Sequence, residues 1–335
     1  MASQGDARPT LKTLAEITGL GISTVSQALR DSPAIAEETR RRVQLAAQQA
    51  GYRPNRAGVR LRTGRSNVIT VILNAQDAGS GFFADFVYGV SSGLAGTAYH
   101  LVITPYDYHD QMAPVRYVVE TASADGVIIS RIMPNDPRVR YMAENGMPFA
   151  THGRTEMGIC HPYHDYDNEA FAYEAVRKLA TRGRKRIALV APPPDLTYFH
   201  HTHAGFERAL RDFNLEQFPL ATYSTDTPLA EIEAAGQEVA RHPHRPDGIV
   251  SAATSSAFAL AAGFKNAGLV IAQDFDVATK HSSPMIKIAM PEMIYVEEDF
   301  KEAGRDLAEL LIKSINGGAP ETLQHVVGPV NGAAR

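Results

Sequence analysis

Three short segments within the first fifty residues space their apolar side chains as α-helices do. The apolar positions are Leu11, Leu14, Ala15 and Ile17 in the first segment, Val25, Ala28 and Leu29 in the second, and Val43, Leu45, Ala46, Ala47 and Ala50 in the third, which spans 37–50. Gly19 stands between the first two segments and suits the left-handed backbone that ends a helix. Two short helices joined by a glycine-containing turn of about four residues predict a helix-turn-helix.

From Ser66 onward, apolar runs alternate with helical stretches. The predicted strands are 68–73, 100–104, 126–130, 148–151, 186–190, 248–251, 275–279 and 286–290. The predicted helices are 83–95, 113–122, 137–145, 168–181, 204–213, 229–241, 255–268 and 299–316. This alternation predicts an α/β fold with two parallel sheets covered on both faces, which makes a bilobal body. Ligands bind such sheets beyond the carboxyl ends of the strands, so we expect binding residues in the loops that follow them.

The second helix and the segment after the third favour contact with DNA. Ser23, Thr24, Ser26 and Gln27 face outward on the second helix and offer the donors and acceptors that read base edges in a major groove. Residues 53–65 hold five arginines around Leu61. Such a segment suits phosphates and one apolar insertion into the minor groove.

The net charge of −4 hides an asymmetry between the two parts of the chain. Residues 1–66 contain 11 Lys and Arg against 5 Asp and Glu, a net charge of +6, whereas the remainder contains 22 against 32, a net charge of −10. A basic head on an acidic body is typical of a protein whose head alone binds nucleic acid.

Cysteine content and apolar run lengths limit the class of protein. The single Cys160 excludes an internal disulfide and a multi-thiolate metal site, and it suits a reducing compartment. Residues 1–30 lack the apolar stretch of a signal peptide, and no run approaches the length of a membrane span. We therefore expect a cytoplasmic protein without a membrane partner, associated with the nucleoid when bound to DNA.

Four sequence blocks carry a resemblance to a known family. They are Thr-Val-Ser at 24–26, Glu-Glu-Thr-Arg at 37–40, Gly-Tyr-Arg-Pro-Asn at 51–55 and Leu-Arg-Thr-Gly-Arg at 61–65. In this order and spacing, residues 10–65 resemble the DNA-binding head of the lactose-repressor (LacI/GalR) family of bacterial regulators, and the similarity continues more loosely beyond residue 70.

The resemblance implies a small all-α helix-turn-helix head on a bilobal body like that of periplasmic binding proteins. The implied divisions are a disordered leader (1–9), a helix-turn-helix domain (10–52), a hinge helix and linker (53–66), and a ligand-binding and dimerisation body (67–335) with an N-subdomain of about 67–168 and 299–326 and a C-subdomain of about 169–298 and 327–335. No leucine heptad precedes Arg335, so we expect a homodimer without a tetramer-forming tail.

The family pattern places DNA contacts on the head and hinge. The candidate residues are Thr10, Gly21, Ile22, Ser23, Thr24, Ser26, Gln27, Arg30, Tyr52, Asn55, Arg56, Gly58, Leu61 and Arg62. Gln27 pairs with adenine where arginine would choose guanine, and Leu61 has the position of the leucine that inserts into the minor groove. Gly58 disfavours the hinge helix by about 1 kcal/mol relative to alanine, so we expect a hinge that is helical only on DNA.

Two departures from the family pattern weaken the head. Gly21 and Ala36 stand where the family usually has serine at the starts of the second and third helices. Loss of the serine cap at Ala36 costs about 1 kcal/mol, partly offset by Glu37 and Glu38 near the positive end of the helix dipole.

Polar and aromatic residues near predicted strand ends suit a sugar, whose hydroxyls need paired donors and acceptors and whose CH face stacks on rings. The candidates are Gln76, Asp77, Phe82, Phe83, Tyr106, Arg131, His152, Arg154, Tyr198, His200, His201, Thr202, His203, Lys280, His281 and Glu298. Some family pocket positions differ. Thr202 replaces a common arginine, Ala253-Thr254 replaces Asn-Asp, His281 replaces aspartate and Glu298 replaces glutamine.

Three further runs are similar to the α-glucoside and disaccharide-responsive branch of the family. They are His152-Gly153-Arg154-Thr155, Ala191-Pro192-Pro193-Pro194 and Tyr198-Phe199-His200-His201. The resemblance implies a repressor that binds a palindromic operator in double-stranded DNA and is released by a small carbohydrate effector such as sucrose. A corepressor mode, a non-sugar or phosphorylated ligand, and a solute-binding protein without DNA binding remain as alternatives.

Other chemistries find little support in the sequence. His200, His201 and His203 invite a metal, but neighbouring histidines in a loop rarely converge on one ion. The glycines at 19 and 21 lack the strand and the third glycine of a dinucleotide fingerprint. No nucleophile-elbow motif or acid/base pair is present, so we expect no enzyme activity, no metal and no cofactor.

Overall fold

The computed structural model describes residues 9–52, 60, 64–75, 81–106, 110–220, 222–281 and 284–329. The chain falls into two compact units, Met1–Ser66 and Asn67–Arg335, which are called the head and the body below.

The head contains the three helices that the sequence predicts. They are α1 (Leu11–Thr18), α2 (Ile22–Ala28) and α3 (Glu37–Gln49). Thr10 and Thr13 form a reciprocal capping box at the start of α1, and Gly19 ends it with a left-handed φ of 66°. Leu14, Val25, Ala28 and Val43 are fully buried where the helices meet.

The head departs in two ways from a well-capped and fully packed three-helix unit. The backbone starts of α2 at Gly21 and α3 at Ala36 receive no side-chain cap, which leaves donors of the first turn to solvent. Leu45, one of the apolar positions of the third predicted helix, lies on the outer face of α3, where its side chain is 55% exposed.

The body is an α/β unit with two parallel sheets, which confirms the predicted fold class. The strands are β1 (Val68–Asn74), β2 (His100–Tyr106), β3 (Gly126–Ile129), β4 (Phe149–His152), β5 (Tyr163–Tyr166), β6 (Arg186–Val190), β7 (Glu216–Phe218), β8 (Gly248–Ser251), β9 (Asp276–His281), β10 (Ile294–Glu297) and β11 (Gln324–Val327). One sheet has the order β11-β5-β4-β3-β1-β2 and the other has the order β10-β9-β8-β6-β7. We call the layers around them the N-lobe and the C-lobe.

Helices cover both faces of each sheet. They are α4 (Gly81–Gly93), α5 (Ala113–Thr121), α6 (Pro137–Glu144), α7 (Asn168–Thr181), α8 (Thr197–Asp212), α9 (Leu229–Ala240), α10 (Thr254–Asn266), α11 (Pro284–Ala289) and α12 (Phe300–Ile315), followed by a 3₁₀ turn at Pro320–Thr322. Central strands β3 and β8 are buried at every position, so their apolar runs are continuous rather than alternating.

The predicted strand at 286–290 is wrong, because this segment belongs to α11 and the strand lies further on, at β10. Five residues with alternating polarity cannot separate a strand from a short helix, and Pro284 suits the first turn of a helix. The Tyr295 hydroxyl then donates to the carbonyl oxygens of Ile286 and Met290 at 3.1 and 2.8 Å, which ties α11 to β10.

Three strands besides β10 were not predicted. β5, β7 and β11 are short and polar residues make up at least half of each, so they lack the apolar runs that predict strands. β11 pairs with β5 from Gln324 to Val327, so residue 327 belongs to the N-lobe sheet. The predicted C-subdomain segment 327–335 began at this residue.

Candidate ligand pocket and DNA-reading surface

The outer face of α2 gathers the predicted base-reading side chains. Ile22 and Ser23 are exposed and Gln27 is half-buried, with Gly21 exposed at the start of the helix. These side chains project from a helix whose buried face, Val25 and Ala28, is held in the head core. A helix with a polar outer face and a fixed inner face has the form of a recognition helix.

The other predicted DNA contacts of the head differ in exposure. Thr24 and Ser26 are half-buried, and Arg30 is exposed with its Nε donating to the Ser26 carbonyl oxygen at 2.9 Å. Tyr52 packs against the head core, and Thr10 serves as the cap of α1. The predicted contacts Asn55, Arg56, Gly58, Leu61 and Arg62 lie outside the described residues.

Two of the three consecutive arginines at 40–42 hold the helices of the head together. Arg40 donates to the Asp31 carbonyl oxygen at 3.1 Å, and Arg42 donates to the Thr18 carbonyl oxygen at 3.1 Å. Both carbonyls lie at or just beyond helix ends, so these arginines hold α3 against the helix-turn-helix.

A cavity of about 350 Å³ lies in the body, where the carboxyl ends of strands from both sheets meet. Its walls are formed by Phe82, Ser130, Arg131, Ile132, His152, Gly153, Arg154, Asp165, Tyr166, Asn168, Thr197, Tyr198, His201, Ala252, Ala253, Thr254, Ser255, Phe258, Lys280, His281, Ile286, Glu298 and Phe300. The volume is within the range of small-molecule sites, and the position follows the rule for open parallel sheets.

Lys280 forms a charged centre on the C-lobe side. Its Nζ lies 2.9 Å from Glu298 Oε2 and donates to Asn168 Oδ1 at 2.5 Å. The same ammonium lies 4.8 Å from the centroid of the Tyr166 ring and 5.8 Å from that of Tyr198. A buried cation needs such partners, and together they hold Lys280 at the wall.

Arg154 and Asp165 form a second charged pair on the N-lobe side. Arg154 Nε lies 3.2 Å from Asp165 Oδ2, and the carboxylate is buried. Burial raises the pKa of Asp165 to about 6, although the charges of Arg154 and Lys280 oppose the shift. The pair places a cation and a strong acceptor side by side, which suits two neighbouring hydroxyls.

Arg131 and Asp226 form a third pair, which joins the two lobes. Arg131 Nη1 donates to Asp226 Oδ1 at 3.2 Å, and Nη2 contacts the second carboxylate oxygen. Arg131 follows β3 with a left-handed φ of 56°. In addition, the backbone amide of Thr197 donates to the Ile132 carbonyl oxygen at 2.8 Å, so one short segment of the N-lobe contacts the C-lobe twice.

A buried ion pair is bonded to the backbone of the segment that carries Arg131. Arg138 and Asp136 have no exposed side-chain surface, and Arg138 Nε donates to Asp136 Oδ1 at 3.0 Å. Arg138 Nη2 also donates to the carbonyl oxygens of Ser130 and Arg131 at 3.2 and 2.8 Å. These bonds stabilise the turn that holds Arg131 at the cavity.

Several neutral polar atoms of the wall have no hydrogen-bond partner among the described residues. They are buried, and they comprise Ser130 Oγ, His152 Nε2, Thr197 Oγ1 and both ring nitrogens of His281. Burial lowers the pKa of His152 to about 3 and lowers the pKa of His281, so both imidazoles are neutral near pH 7. Unpaired buried polar atoms are costly and rare in proteins, so their concentration here points to a polar ligand.

Aromatic rings line the N-lobe side of the cavity. The centroids of Phe82 and Phe300 lie 5.0 Å apart in an edge-on arrangement, and the His152 ring lies 5.6 Å from Phe82. Lys280 and these rings line the same cavity. The cavity therefore offers one apolar face and several hydrogen-bonding groups.

Comparison with known proteins identifies the family. Residues 10–55 match the model for bacterial regulatory proteins of the lacI family. Residues 66–325 match the model for periplasmic binding proteins and the sugar binding domain of the LacI family. The chain belongs to the LacI family.

Relatives in this family align along nearly the whole chain. The HTH-type transcriptional regulator AglR of Rhizobium meliloti (strain 1021) is 32% identical over 93% of this chain and 90% of its own. The HTH-type transcriptional regulator RafR of Escherichia coli is 29% identical over 96% of each chain. This LacI-family chain is therefore a DNA-binding transcription regulator with a sugar-binding type of domain.

Solved structures agree on the fold. A transcriptional regulator CelR–cellobiose complex matches with a TM-score of 0.70 at 25% identity over 96% of this chain and 98% of its own. The lac repressor dimer bound to operator and the anti-inducer ONPF matches with a TM-score of 0.82 at 18% identity over 96% of each chain, which shows the fold alone.

The structure brings most of the predicted pocket residues of this LacI-family regulator to one cavity. Those on the wall are Phe82, Arg131, His152, Arg154, Tyr198, His201, Lys280, His281 and Glu298. Gln76 and Asp77 lie outside the described residues. Phe83 and Tyr106 instead pack in the two apolar clusters of the N-lobe, away from the cavity wall.

The histidine run is not a loop, as the sequence analysis assumed, but part of α8. Successive helical positions point about 100° apart, so only His201 of the run reaches the cavity. His200 is exposed, Thr202 is buried with its hydroxyl donating to the Tyr198 carbonyl oxygen at 2.7 Å, and His203 packs on Phe199.

Other polar residues of the wall were not predicted from the sequence. Ser130, Asp165, Asn168 and Thr197 all line it. Asp165 was missed because β5 was not recognised, and Thr197 because α8 begins seven residues before the predicted start at 204. The signal available for β5 was the pair of aromatic residues Tyr163 and Tyr166 just before α7.

Metal and membrane sites find no support in the described part of the chain. No group of three or more His, Cys, Asp and Glu is placed there to hold a metal ion. No described helix is both long enough and apolar enough to cross a bilayer.

Proposed function

We propose that this regulator is a cytoplasmic transcriptional repressor that is released from its operator by a small neutral carbohydrate. It binds a palindromic operator as a homodimer, with α2 of each head in one major-groove half-site and the hinge segments in the central minor groove. The best candidate effector is an α-glucoside or a disaccharide such as sucrose.

The observation that carries this proposal is the chemistry of the cavity wall. Ser130, Thr197 and the neutral rings of His152 and His281 offer buried hydrogen-bonding atoms without partners among the described residues. Sugar hydroxyls act as both donors and acceptors, so they match hydroxyl groups and neutral imidazoles alike. Phe82 and Phe300 supply the apolar face that a pyranose ring covers.

The charges on the wall disfavour the phosphorylated-ligand alternative. Lys280, Arg154 and Arg131 each lie beside a carboxylate, namely Glu298, Asp165 and Asp226. A phosphate would have to displace one of these carboxylates or lie against it. The CelR relative holds cellobiose, an uncharged disaccharide, which supports the same class of ligand.

Ligand binding and operator binding are coupled in this proposal. A sugar that binds better to the lobe arrangement of the released state lowers operator affinity, and operator DNA must then lower sugar affinity by the same factor. A corepressor would reverse the sign of this coupling. The solute-binding alternative can be tested with salt. A repressor with a basic head should bind its operator with an affinity that falls steeply as the salt concentration rises, whereas a solute-binding protein should not bind DNA.

The first test is thermal unfolding of the full chain with sucrose, maltose, cellobiose, glucose and glucose 6-phosphate. A ligand at a hundred times its dissociation constant adds about 2.7 kcal/mol to stability, so a neutral sugar should raise the midpoint clearly. The same sugar should reduce operator binding. If no neutral sugar changes the midpoint, the proposed effector class is wrong.

Arg154→Ala tests the site itself. We expect loss of the sugar response with operator affinity retained, because Arg154 lies in the body and its pair with Asp165 faces the cavity. Arg140→Ala is the matched control, since Arg140 is exposed on α6 of the same lobe and is not on the cavity wall. A normal sugar response in Arg154→Ala removes this residue from the site.

A further inference from the structure

The three cations of the cavity wall differ in where their partners lie. Asp165 and Glu298, which pair with Arg154 and Lys280, are themselves on the wall. Asp226, which pairs with Arg131, is not among the wall residues. It neutralises a wall cation from outside the cavity, so it can influence the ligand without contacting it.

The Arg131–Asp226 pair is well defined on both sides. The side chains are 12% and 26% exposed, and the guanidinium meets both carboxylate oxygens, which is the strong bidentate form of this pair. On the C-lobe side, the Asp226 amide donates to Ser224 Oγ at 3.2 Å and the Thr225 amide donates to the Ala191 carbonyl oxygen at 2.9 Å. The loop that carries Asp226 is thus attached to the end of β6.

On the N-lobe side, Arg131 cannot easily turn away from the cavity. Arg138 binds the carbonyl oxygens of Ser130 and Arg131, and the buried Asp136 holds Arg138. The hydroxyls of Ser130 and Thr197, which lack partners among the described residues, lie on the same part of the wall, because the Thr197 amide is bonded to the Ile132 carbonyl. A guanidinium is a typical binding group for an anion when a carboxylate that pairs with it is removed.

We propose that Asp226 is a specificity-determining residue that excludes anionic ligands by occupying Arg131. The inference rests on the proposed function and names its consequence for the ligand class: neutral sugars enter, whereas sugar phosphates and uronates are refused. An anion that binds Arg131 would lie close to the Asp226 carboxylate. The two negative charges would repel each other, and the repulsion is strong where little water separates them.

Asp226→Asn in the full chain tests this inference, with inorganic phosphate and glucuronate as the probes and calorimetric titration as the measurement. The asparagine keeps the size of the side chain and removes its charge. We expect at least about tenfold tighter binding of both anions than in the unaltered protein, as for one new charge-assisted hydrogen bond. Asp226→Glu, which keeps the charge, should exclude the anions as before.

Two controls separate this effect from general charge and from the basic head. Asp195→Asn removes the same charge from an exposed loop of the C-lobe and should bind the anions no better than the unaltered protein. Arg131→Met combined with Asp226→Asn should abolish the gain, because the head is unchanged and only the wall cation is lost. Circular dichroism checks that each variant is folded.

The outcome is independent of the sugar test. The inference is overturned if folded Asp226→Asn binds phosphate and glucuronate no more tightly than the unaltered protein, or if Asp195→Asn gains as much. It is equally overturned if the unaltered protein already binds glucuronate as tightly as glucose. Failure of the proposed function shows instead as the absence of any response to neutral sugars.

Discussion

The proposed DNA-reading surface and the proposed ligand cavity are built in opposite ways. The reading surface is one face of α2, and its side chains come from seven consecutive residues supported by a small core around Leu14 and Val25. The cavity wall draws on the ends of eight separate strands, or on the segments that follow them, in two sheets. Its polar groups are buried, whereas those of α2 face solvent.

This difference has energetic consequences. A base-reading side chain on an exposed helix contributes mainly when DNA is present, so its replacement changes recognition more than stability. A cavity residue that is buried with a charge is held by partners from distant segments, so its replacement changes stability and recognition together. The following experiments test this contrast, from the largest expected effect to the smallest.

Arg138→Leu should destabilise the body by about 3 to 5 kcal/mol, because it leaves the Asp136 carboxylate buried without its cation. Urea unfolding followed by circular dichroism measures the loss. Arg177→Leu is the matched control: it breaks an exposed pair with Glu174 and should cost less than about 1 kcal/mol. Equal costs for the two arginines would contradict the contrast.

Asp165 should make stability depend on pH. Its pKa is raised from 3.8 to about 6 in the folded protein, so between these values the unfolded chain ionises first and is favoured. The folded state therefore loses up to about 3 kcal/mol as pH rises from 4 to 6. Asp165→Asn lacks this loss.

The difference between the two unfolding profiles isolates Asp165. His152 acts in the opposite direction, because its pKa is lowered to about 3 and the unfolded chain takes up its proton below pH 6.5. That contribution is present in both proteins and cancels in the difference. Parallel profiles from pH 4 to 6 would show that burial does not raise the pKa of Asp165 in the folded protein.

Gln27→Ala should relax base preference at one position of each operator half-site by about 1 to 3 kcal/mol, because a glutamine amide pairs with adenine through two hydrogen bonds. Competition binding with all four bases at each position measures the effect. Arg30→Ala is the control, since Arg30 is exposed just after α2. Loss of a phosphate contact should weaken binding to all sequences about equally. A uniform loss for Gln27→Ala would remove it from base reading.

Ala36→Ser should stabilise α3 by about 1 kcal/mol, because Ala36 has extended backbone at the start of the helix and no side-chain cap. Hydrogen exchange of the α3 amides in the full chain measures the gain. Ala36→Val lacks the oxygen and should give no protection. If serine and valine behave alike, capping does not limit the head.

The order of helices and strands followed largely from local pattern. Helix α7 begins and ends where the sequence predicts, because a cap at Asp167 precedes a long amphipathic run. The segment at 286–290 and the polar strands β5 and β11 were not predictable in this way. Their conformation depends on neighbours: β11 pairs with β5 over four residues, though the two lie far apart in the chain.

The candidate site divides along the same line. Sequence alone predicted the polar outer face of α2, the basic head and most of the wall residues near strand ends, because helix periodicity and chain order are local properties. Only the tertiary structure showed that Asp226 pairs with Arg131, that Arg138 supports the turn that carries Arg131, and that α8 turns His200 and Thr202 away from the cavity. Pairing of charges across two lobes leaves no periodic trace in a sequence, because it depends on where separate sheets bring their ends together.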